Sequence, residues 1–498
     1  MPDSVNRRDF MKTMSLGAAA LALAQTGVNC TRKTRRPNII YILADDLGYG
    51  ELGCYGQKKI RTPNIDGLAA RGMKFTQHYS GSPVCAPSRC VLLTGKHTGH
   101  AYIRDNDEMD DRGDVWHDPA LEGQRPLPAD TATIGTMLQD AGYATAAIGK
   151  WGLGGPASSG EPNRQGFDHF FGYLCQRLAH NHYPTHLWRN GEKFPLAGNS
   201  YFYPHQRFPA DRDPHDPASY RDYRGKTYST DMMAGDALEF IRQNRDRPFF
   251  LYLAFTIPHA ALQVPEDSLK EYEDAFPDEP YLGDKGYLPH PRPRAAYAAM
   301  VTRMDREIGM IIALLGELGL TRDTLIMFSS DNGPTFNGGT DSAFFESAGP
   351  LRGLKTILYE GGIRVPMIAC WPGKIEPGRT SGHVSAFWDV LPTVADAAGI
   401  APTSDIDGIS FLPELLGRDS RQKKHEYLYW EFQGKQAVRY GDWKAVKQGA
   451  GKPLELYDLA RDMGEKENVA ELHPEVVSAI EEILGTARTE SALFPLTR

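Results

Sequence analysis

The stretch of this chain richest in chemistry is Ser82-Pro83-Val84-Cys85-Ala86-Pro87-Ser88-Arg89, followed shortly by Leu93-Thr94-Gly95. Pro87 suits the first turn of a helix running through Val91 and Leu92, because the N–H it lacks has no partner there. Cys85 then sits at a helix N-terminus, where the dipole favours negative charge. Arg89 lies four residues on. Helical side chains lean back toward the N-terminus, so it is expected to reach position 85. Read plainly, this is a thiolate activated by a helix end and a guanidinium. A buried structural cysteine is the commoner explanation of a lone Cys, and the local pattern alone does not exclude it.

Asp45, Asp46, Asp331 and Asn332 form a second chemical set. They offer only oxygen donors, which suit a hard cation; zinc would draw His or Cys. The set points to a hard cation such as Ca²⁺ or Mg²⁺. Three carboxylates crowded together without a cation would repel one another. An isolated Asp-Asp pair is more often a cap or a turn. Lys150 and His259 complete the group of capable side chains in apolar surroundings.

What brings these residues together must be the ends of strands. Residues 39–43 are a continuous apolar run, the mark of a strand buried on both faces in a parallel sheet. It ends at Asp45-Asp46. A strand at 144–148 leads to Lys150, one at 249–255 to Ile257-Pro258-His259, and one at 324–328 to Asp331-Asn332. Another is expected at 365–369. Helices are expected from Thr62-Pro63, with a cap and an N1 proline, to Gly72, over 133–140 and 228–243, and over 295–318, where Tyr297, Met300, Met304, Ile308, Ile311 and Leu315 recur at helical spacing. Strands alternating with helices predict a doubly wound, mainly parallel α/β sheet. In such sheets ligands bind outside the carboxyl ends of the strands. Four polar strand ends argue for one site at that edge.

From about residue 405 the texture changes. Short aromatic runs at 425–432, 436–446 and 454–457 read as strands, and 474–484 as a closing helix. The expected organisation is a leader and linker over 1–36, a catalytic domain over 37–404 and a small α+β subdomain over 405–498. Residues 183–226, rich in Pro, His, Tyr and Arg, read as a long irregular insertion.

Cys85-Ala86-Pro87-Ser88-Arg89 with Leu93-Thr94-Gly95 resembles the signature of the type I sulfatases. Further matches occur in family order. They are Pro37-Asn38-Ile39 through Asp45-Asp46-Leu47-Gly48-Tyr49-Gly50, Gly149-Lys150-Trp151, Gln165-Gly166-Phe167-Asp168, Pro258-His259, Ser330-Asp331-Asn332-Gly333, and Lys355 before Tyr359-Glu360-Gly361-Gly362-Ile363-Arg364-Val365-Pro366. The resemblance implies an alkaline-phosphatase-like fold and hydrolysis of sulfate esters. It implies that Cys85 is converted to formylglycine by a formylglycine-generating or sulfatase-maturing enzyme. One hydroxyl of the hydrated aldehyde would attack sulfur, and the second would expel sulfate. It further implies a cation on Asp45, Asp46, position 85, Asp331 and Asn332. Lys150, Lys355 and Arg89 would offset charge, and His259 would help protonate the leaving alcohol. One departure stands out: Gly152 occupies the place where the family often has a His that assists breakdown of the sulfated intermediate. His100 is the first candidate for that task, because the segment after the nucleophile helix could turn back over the pocket. His180, His97 and His182 follow. Two alternatives share parts of this pattern: a phosphonate or phosphodiester hydrolase of the same superfamily, and a non-catalytic sulfated-glycan-binding protein.

The chain has 498 residues and a formal net charge of −8, which argues against nucleic acid as a partner. Arg7-Arg8 followed by the apolar run 14–24 reads as a signal for the twin-arginine export machinery, so a periplasmic or extracellular protein is expected. Cys30 follows that run; Gly27-Val28-Asn29 fit a lipobox poorly, which makes lipid anchoring the minor reading. Six scattered cysteines do not form a disulfide framework. The Arg-, His- and Tyr-rich segment from Cys175 to Tyr183 and the loop beyond it suit a sulfated carbohydrate, with galactose or N-acetylgalactosamine sulfates favoured.

Overall fold

The computed structural model describes residues 36–107, 122 and 124–496. The twin-arginine leader and Cys30 lie outside them. The residues from Pro37 onward make one compact unit. Its strands are β1 (Asn38–Asp45), β2 (Met73–Tyr79), β3 (Ala144–Lys150), β4 (His169–Tyr173), β5 (His186–Arg189), β6 (Glu192–Pro195), β7 (Phe249–Pro258), β8 (Thr324–Ser330), β9 (Arg364–Cys370), β10 (Arg379–Ser381) and β11 (Ser385–Ala386) in one sheet. A second sheet holds β12 (Tyr427–Phe432), β13 (Lys435–Tyr440), β14 (Trp443–Lys447) and β15 (Leu454–Asp458). The principal helices are α1 (Pro63–Arg71), α2 (Cys85–Thr94), α3 (Ile134–Asp140), α4 (Ser229–Gln243), α5 (Pro293–Glu317), α6 (Val390–Ala398) and α7 (Pro474–Thr486).

The large sheet has the order β10-β2-β9-β8-β1-β7-β3-β4-β5-β6, with β11 paired to β2. Its centre, β8-β1-β7-β3-β4, is wholly parallel, while β9 pairs antiparallel with both β2 and β8. β1 shows why it lies at the centre. Ile39, Tyr41 and Leu43 face one core, and Ile40, Ile42 and Ala44 face the other. Both faces are covered by helices, so an uninterrupted apolar run is stable there.

Three strands run past their apolar stretches. β3 reaches Lys150, β7 Pro258 and β8 Ser330. The added residues are still paired in the sheet, which places the polar ends on strands and not in loops. Two local expectations change. Thr62 flanks α1, but its side chain makes no cap bond; its Oγ1 accepts from the Gly53 N–H at 2.9 Å instead. The 183–226 segment is not irregular throughout, because β5 and β6 form a hairpin that extends the sheet edge. The five cysteines among the described residues are unbridged, and none of the described helices is long and apolar enough to cross a membrane.

The second sheet is antiparallel and packs α7 on one face. It is fastened to the large sheet by buried polar contacts. Trp430 Nε1 donates to the Ser80 carbonyl at 2.9 Å, and Arg439 donates to the Tyr79 hydroxyl. Lys444, fully buried, lies 3.1 Å from Glu360 and 3.4 Å from Glu465. Glu360 belongs to a single helical turn before β9, and its backbone N–H donates to Glu465 at 2.7 Å. Removing this ammonium would leave two carboxylates facing each other without water. Lys444→Ala is therefore expected to cost about 3–5 kcal/mol of stability, read from urea unfolding. Adding Glu465→Gln to Lys444→Met should recover much of it. A loss below about 1 kcal/mol in the alanine variant would mean that the triad is not what joins the two sheets.

Candidate active site

Strand register assembles the floor of the site. Ala44 pairs with Ser330, and Asp45 pairs with Pro258. The residues that follow β8 and β7, Asp331-Asn332 and His259, therefore arrive level with Asp45-Asp46. β3 joins β7 through Gly149 and Ala254, which brings in Lys150. The backbones meet so closely there that a Cβ on Gly149 would lie 1.8 Å from the Ala254 carbonyl oxygen. Only glycine is accommodated. Asp46 itself has φ 66°, the left-handed region that aspartate tolerates better than most residues. The turn is held from below. Leu47 N–H donates to Ser330 Oγ at 2.9 Å, Gly48 N–H donates to Glu51 at 2.6 Å, and Glu51 also accepts from the Tyr297 hydroxyl.

Cys85 is the first residue of α2 and is 2% exposed. Its Sγ lies 3.4 Å from Asp45 Oδ1 and 3.5 Å from Lys355 Nζ. Lys150 Nζ contacts Asp45 Oδ2 at 2.6 Å. Lys355 Nζ contacts Asp46 Oδ1 at 2.7 Å. The loop carrying Lys355 is pinned by its own N–H to the Pro334 carbonyl, and by Thr356 N–H to the Pro83 carbonyl just before the nucleophile, both at 2.9 Å. Asn332 Nδ2 donates to Asp46 Oδ1 at 2.7 Å. Cys85, Lys355 and His259 line a cavity of about 430 Å³, together with Tyr287 and Phe336.

The hydrogen bonds of Arg89 go to groups other than Cys85. It donates twice to Asp331 Oδ2, at 2.8 and 3.0 Å, and once to the Lys150 carbonyl at 2.6 Å. Fully buried carboxylates draw the guanidinium past the nucleophile. The activated-thiolate reading also changes. Burial pushes the Cys85 thiol up to about 12, and the charges of Lys150 and Lys355 only partly offset that. Burial would likewise raise Asp45, but Lys150, His259, Arg89 and Lys355 outweigh it and hold that carboxyl well below the usual range. Asp331 goes the other way, to about 6, through burial and the charge of Asp45.

His259 is buried and neutral, its imidazolium pushed down to about 3 by burial. Its Nδ1 pairs with the Ala260 carbonyl and must donate there, which turns the bare Nε2 toward Asp46 at 3.6 Å. In the resting site it is an acceptor, and the charged donor beside the nucleophile is Lys355. His180 stacks on His259 with ring centroids 4.3 Å apart and lines the same cavity. His182 lies behind it, its Nε2 3.1 Å from the His259 carbonyl. His100 is elsewhere. It follows the far end of α2, one ten-residue helix (about 15 Å) from Cys85. Its Nδ1 pairs with Asp407 at 2.9 Å, its ring stacks on His97, and it lines a separate cavity. The segment after α2 turns away from the nucleophile, because Asp407 ties it to the 405–407 loop.

The donors present are able to hold a metal ion. Ligand atoms of Asp45, Asp46, Cys85 and His259 lie within 4.8 Å of one another. Asn332 Oδ1 is buried and has no hydrogen-bond partner among the described residues, which is what a carbonyl ligand without its cation looks like. Asp331 Oδ1 accepts only from the Asp46 N–H at 3.1 Å and keeps a second acceptor position. Gln176 and Arg177, from the segment read as suited to a sugar, line the cavity, and residues that the sequence did not mark include Asn106, Tyr287, Phe336 and Asn337. They stand on loops, where neither helical nor strand periodicity gives a signal.

Comparison with known proteins agrees with this geometry. The Sulfatase family profile matches residues 37–400, and a profile described as N-sulphoglucosamine sulphohydrolase, C-terminal, matches 354–489. Steryl-sulfatase of Mus musculus is 32% identical, over 95% of this chain and 85% of its own. N-acetylgalactosamine-6-O-sulfatase of Bacteroides thetaiotaomicron is 30% identical, over 92% of this chain and 94% of its own. The crystal structure of Ps i-CgsB in complex with k-i-k-neocarrahexaose superposes with a TM-score of 0.72 at 27% identity, covering 91% of this chain and 92% of that one. With its central sheet, its second antiparallel sheet and the buried cluster around Cys85, the chain belongs to the sulfatase family of sulfuric ester hydrolases, with the alkaline-phosphatase-like fold.

Proposed function

We propose that this protein is an exported carbohydrate sulfatase that works with formylglycine at position 85 and with Ca²⁺. The observation that carries the reading is the setting of Cys85. It lies at the floor of a cavity between Lys355 Nζ and Asp45 Oδ1, and Asn332, bonded to Asp46, has an Oδ1 with no partner among the described residues. A buried thiol held near 12 is a poor nucleophile. Formylglycine, once hydrated, would supply two hydroxyls there, one to attack sulfur and one to release sulfate and restore the aldehyde. Asp45, Asp46, Asp331 and Asn332 would hold the cation, with position 85 completing the set. When bound, it would polarise sulfate oxygens as a Lewis acid.

The chain's own residues take the remaining roles. Lys150 and Lys355 keep their charges through Asp45 and Asp46 and stabilise negative charge developing on the sulfuryl oxygens. Lys355 is also the proton donor to the leaving alcohol. His259, with Nε2 3.6 Å from Asp46, lines the cavity beside this pair. Arg89 acts as a positioning residue, locking Asp331 to the Lys150 carbonyl. Of the histidines that could stand in for the absent one at Gly152, His180 is the one in the cavity. A carbohydrate leaving group suits the mouth, where Asn106, Gln176, Arg177 and Asn337 offer hydrogen bonds beside Phe336, which is 48% exposed. A sterol would ask for an apolar lining. The relative named for N-acetylgalactosamine 6-sulfate and the neocarrahexaose complex support the same class. Arg7-Arg8 before the apolar leader supports twin-arginine export.

Two measurements test this directly. The tryptic peptide containing position 85, taken from active protein, should be about 18 Da lighter than the cysteine form, since an aldehyde replaces CH₂SH. Full sulfatase activity from protein carrying only cysteine there would exclude the proposed nucleophile. Asp331→Ala and Asn332→Ala should each bind Ca²⁺ about tenfold or more weakly by calorimetry, because each removes an oxygen donor from the set. Affinity equal to wild type in both would place the cation elsewhere. A panel of defined sulfated mono- and disaccharides, with galactose and N-acetylgalactosamine sulfates first, tests the substrate class.

A further inference from the structure

Above the charged floor of the cavity, one polar side chain has an acceptor with nothing to accept. Gln176 follows β4 and lines the cavity with Cys85, Lys355 and His259. It is 4% exposed, and its Oε1 is buried with no hydrogen-bond partner among the described residues. The residue is not loose, because its backbone N–H donates to Gln124 Oε1 at 3.2 Å. A buried acceptor left without a donor costs free energy, and in a folded protein it calls for a reason.

Gly152 shows what the carboxamide does sterically. A Cβ built there would lie 3.4 Å from both Cβ and Oε1 of Gln176. Gly152 has φ 81°, where side chains other than glycine's are strained. Position 152 therefore projects no side chain, and Gln176 lies across the space from the neighbouring strand end.

The chemistry of the missing partner follows from the atoms. Oε1 can only accept, so its partner must carry O–H or N–H. The sulfuryl oxygens of a sulfate ester are acceptors and cannot serve. Lys150 and Lys355 lie against Asp45 and Asp46, and neither donates to this oxygen. Two sources of O–H or N–H remain, the hydrated aldehyde proposed at position 85 and the leaving group, and only the leaving group differs between substrates. We propose that Gln176 is a specificity-determining residue, accepting a hydrogen bond from a hydroxyl or amide N–H of the sugar that carries the sulfate. This rests on the carbohydrate reading above. It adds that the enzyme selects sugars with a donor beside the sulfated carbon.

Gln176→Met keeps the length and volume of the side chain and removes the amide. The measurement is kcat/KM of wild type and variant on galactose 6-sulfate, on N-acetylgalactosamine 6-sulfate, on their monodeoxy analogues and on 4-nitrophenyl sulfate, whose leaving group has no donor. The expected loss on a sugar sulfate exceeds that on 4-nitrophenyl sulfate by about tenfold or more, because only the sugar loses a partner. On the deoxy sugar lacking the recognised donor, that extra loss should vanish. Equal losses on sugar and aryl esters would overturn the assignment and place Gln176 at the nucleophile or in folding. Sugar turnover untouched by the substitution would overturn it as well, and leave the carbohydrate reading standing. A wild type that cleaves 4-nitrophenyl sulfate and neither sugar sulfate would overturn both.

Discussion

Everything at the site depends on one electrostatic constraint: Asp45, Asp46 and Asp331 are all fully buried at adjoining strand ends. Charges removed from water are tolerated only when opposite charge and hydrogen bonds surround them. Lys150, Lys355 and Arg89 supply that charge, each in direct contact with one of the three. The compensation is uneven. Asp45, with four cationic or cationisable neighbours, is held well below the usual carboxylate range, while Asp331 is pushed up to about 6. Asn332, whose Nδ2 donates to Asp46, leaves its buried Oδ1 without a hydrogen-bond partner among the described residues.

The same constraint explains the architecture around it. Carboxylates this close cannot be held by flexible loops, so they stand at the ends of strands whose register is set by two apolar cores. Gly149 lets β3 approach β7 closely enough for Lys150 to meet Asp45. The second sheet adds rigidity from behind. Lys444 binds Glu360, and the turn carrying Glu360 leads through Gly361 and Gly362, which hydrogen-bond to the backbones of the 352 and 333 regions. Those regions carry Lys355 and follow Asn332. Stability of the junction and placement of the site residues thus rest on one connected set of buried polar groups.

Much of this was legible in the chain. The apolar run 39–43 announced a strand buried on both faces, and the four polar strand ends announced a common edge. Both follow from short-range regularities, side-chain alternation and burial, that a sequence records directly. His100 was legible only as a histidine near the nucleophile in sequence. A ten-residue helix and the Asp407 contact carry it away. Arg89 has the spacing to reach Cys85, but the stronger pull of buried Asp331, 242 residues distant, decides where it points. His259 carried no sign of which nitrogen would be protonated until the Ala260 carbonyl claimed Nδ1.

The sequence by itself determined the family and the doubly wound sheet, and it named most of the polar residues that the structure gathers around Cys85, because those reside in motifs and in local periodicity. Only the tertiary structure decided which charges touch, which histidine shares the cavity with Cys85, and that Gln176 fills the space facing Gly152. These depend on strand register and on loops meeting across the sheet edge, and long-range contacts of that kind leave no trace in residue spacing.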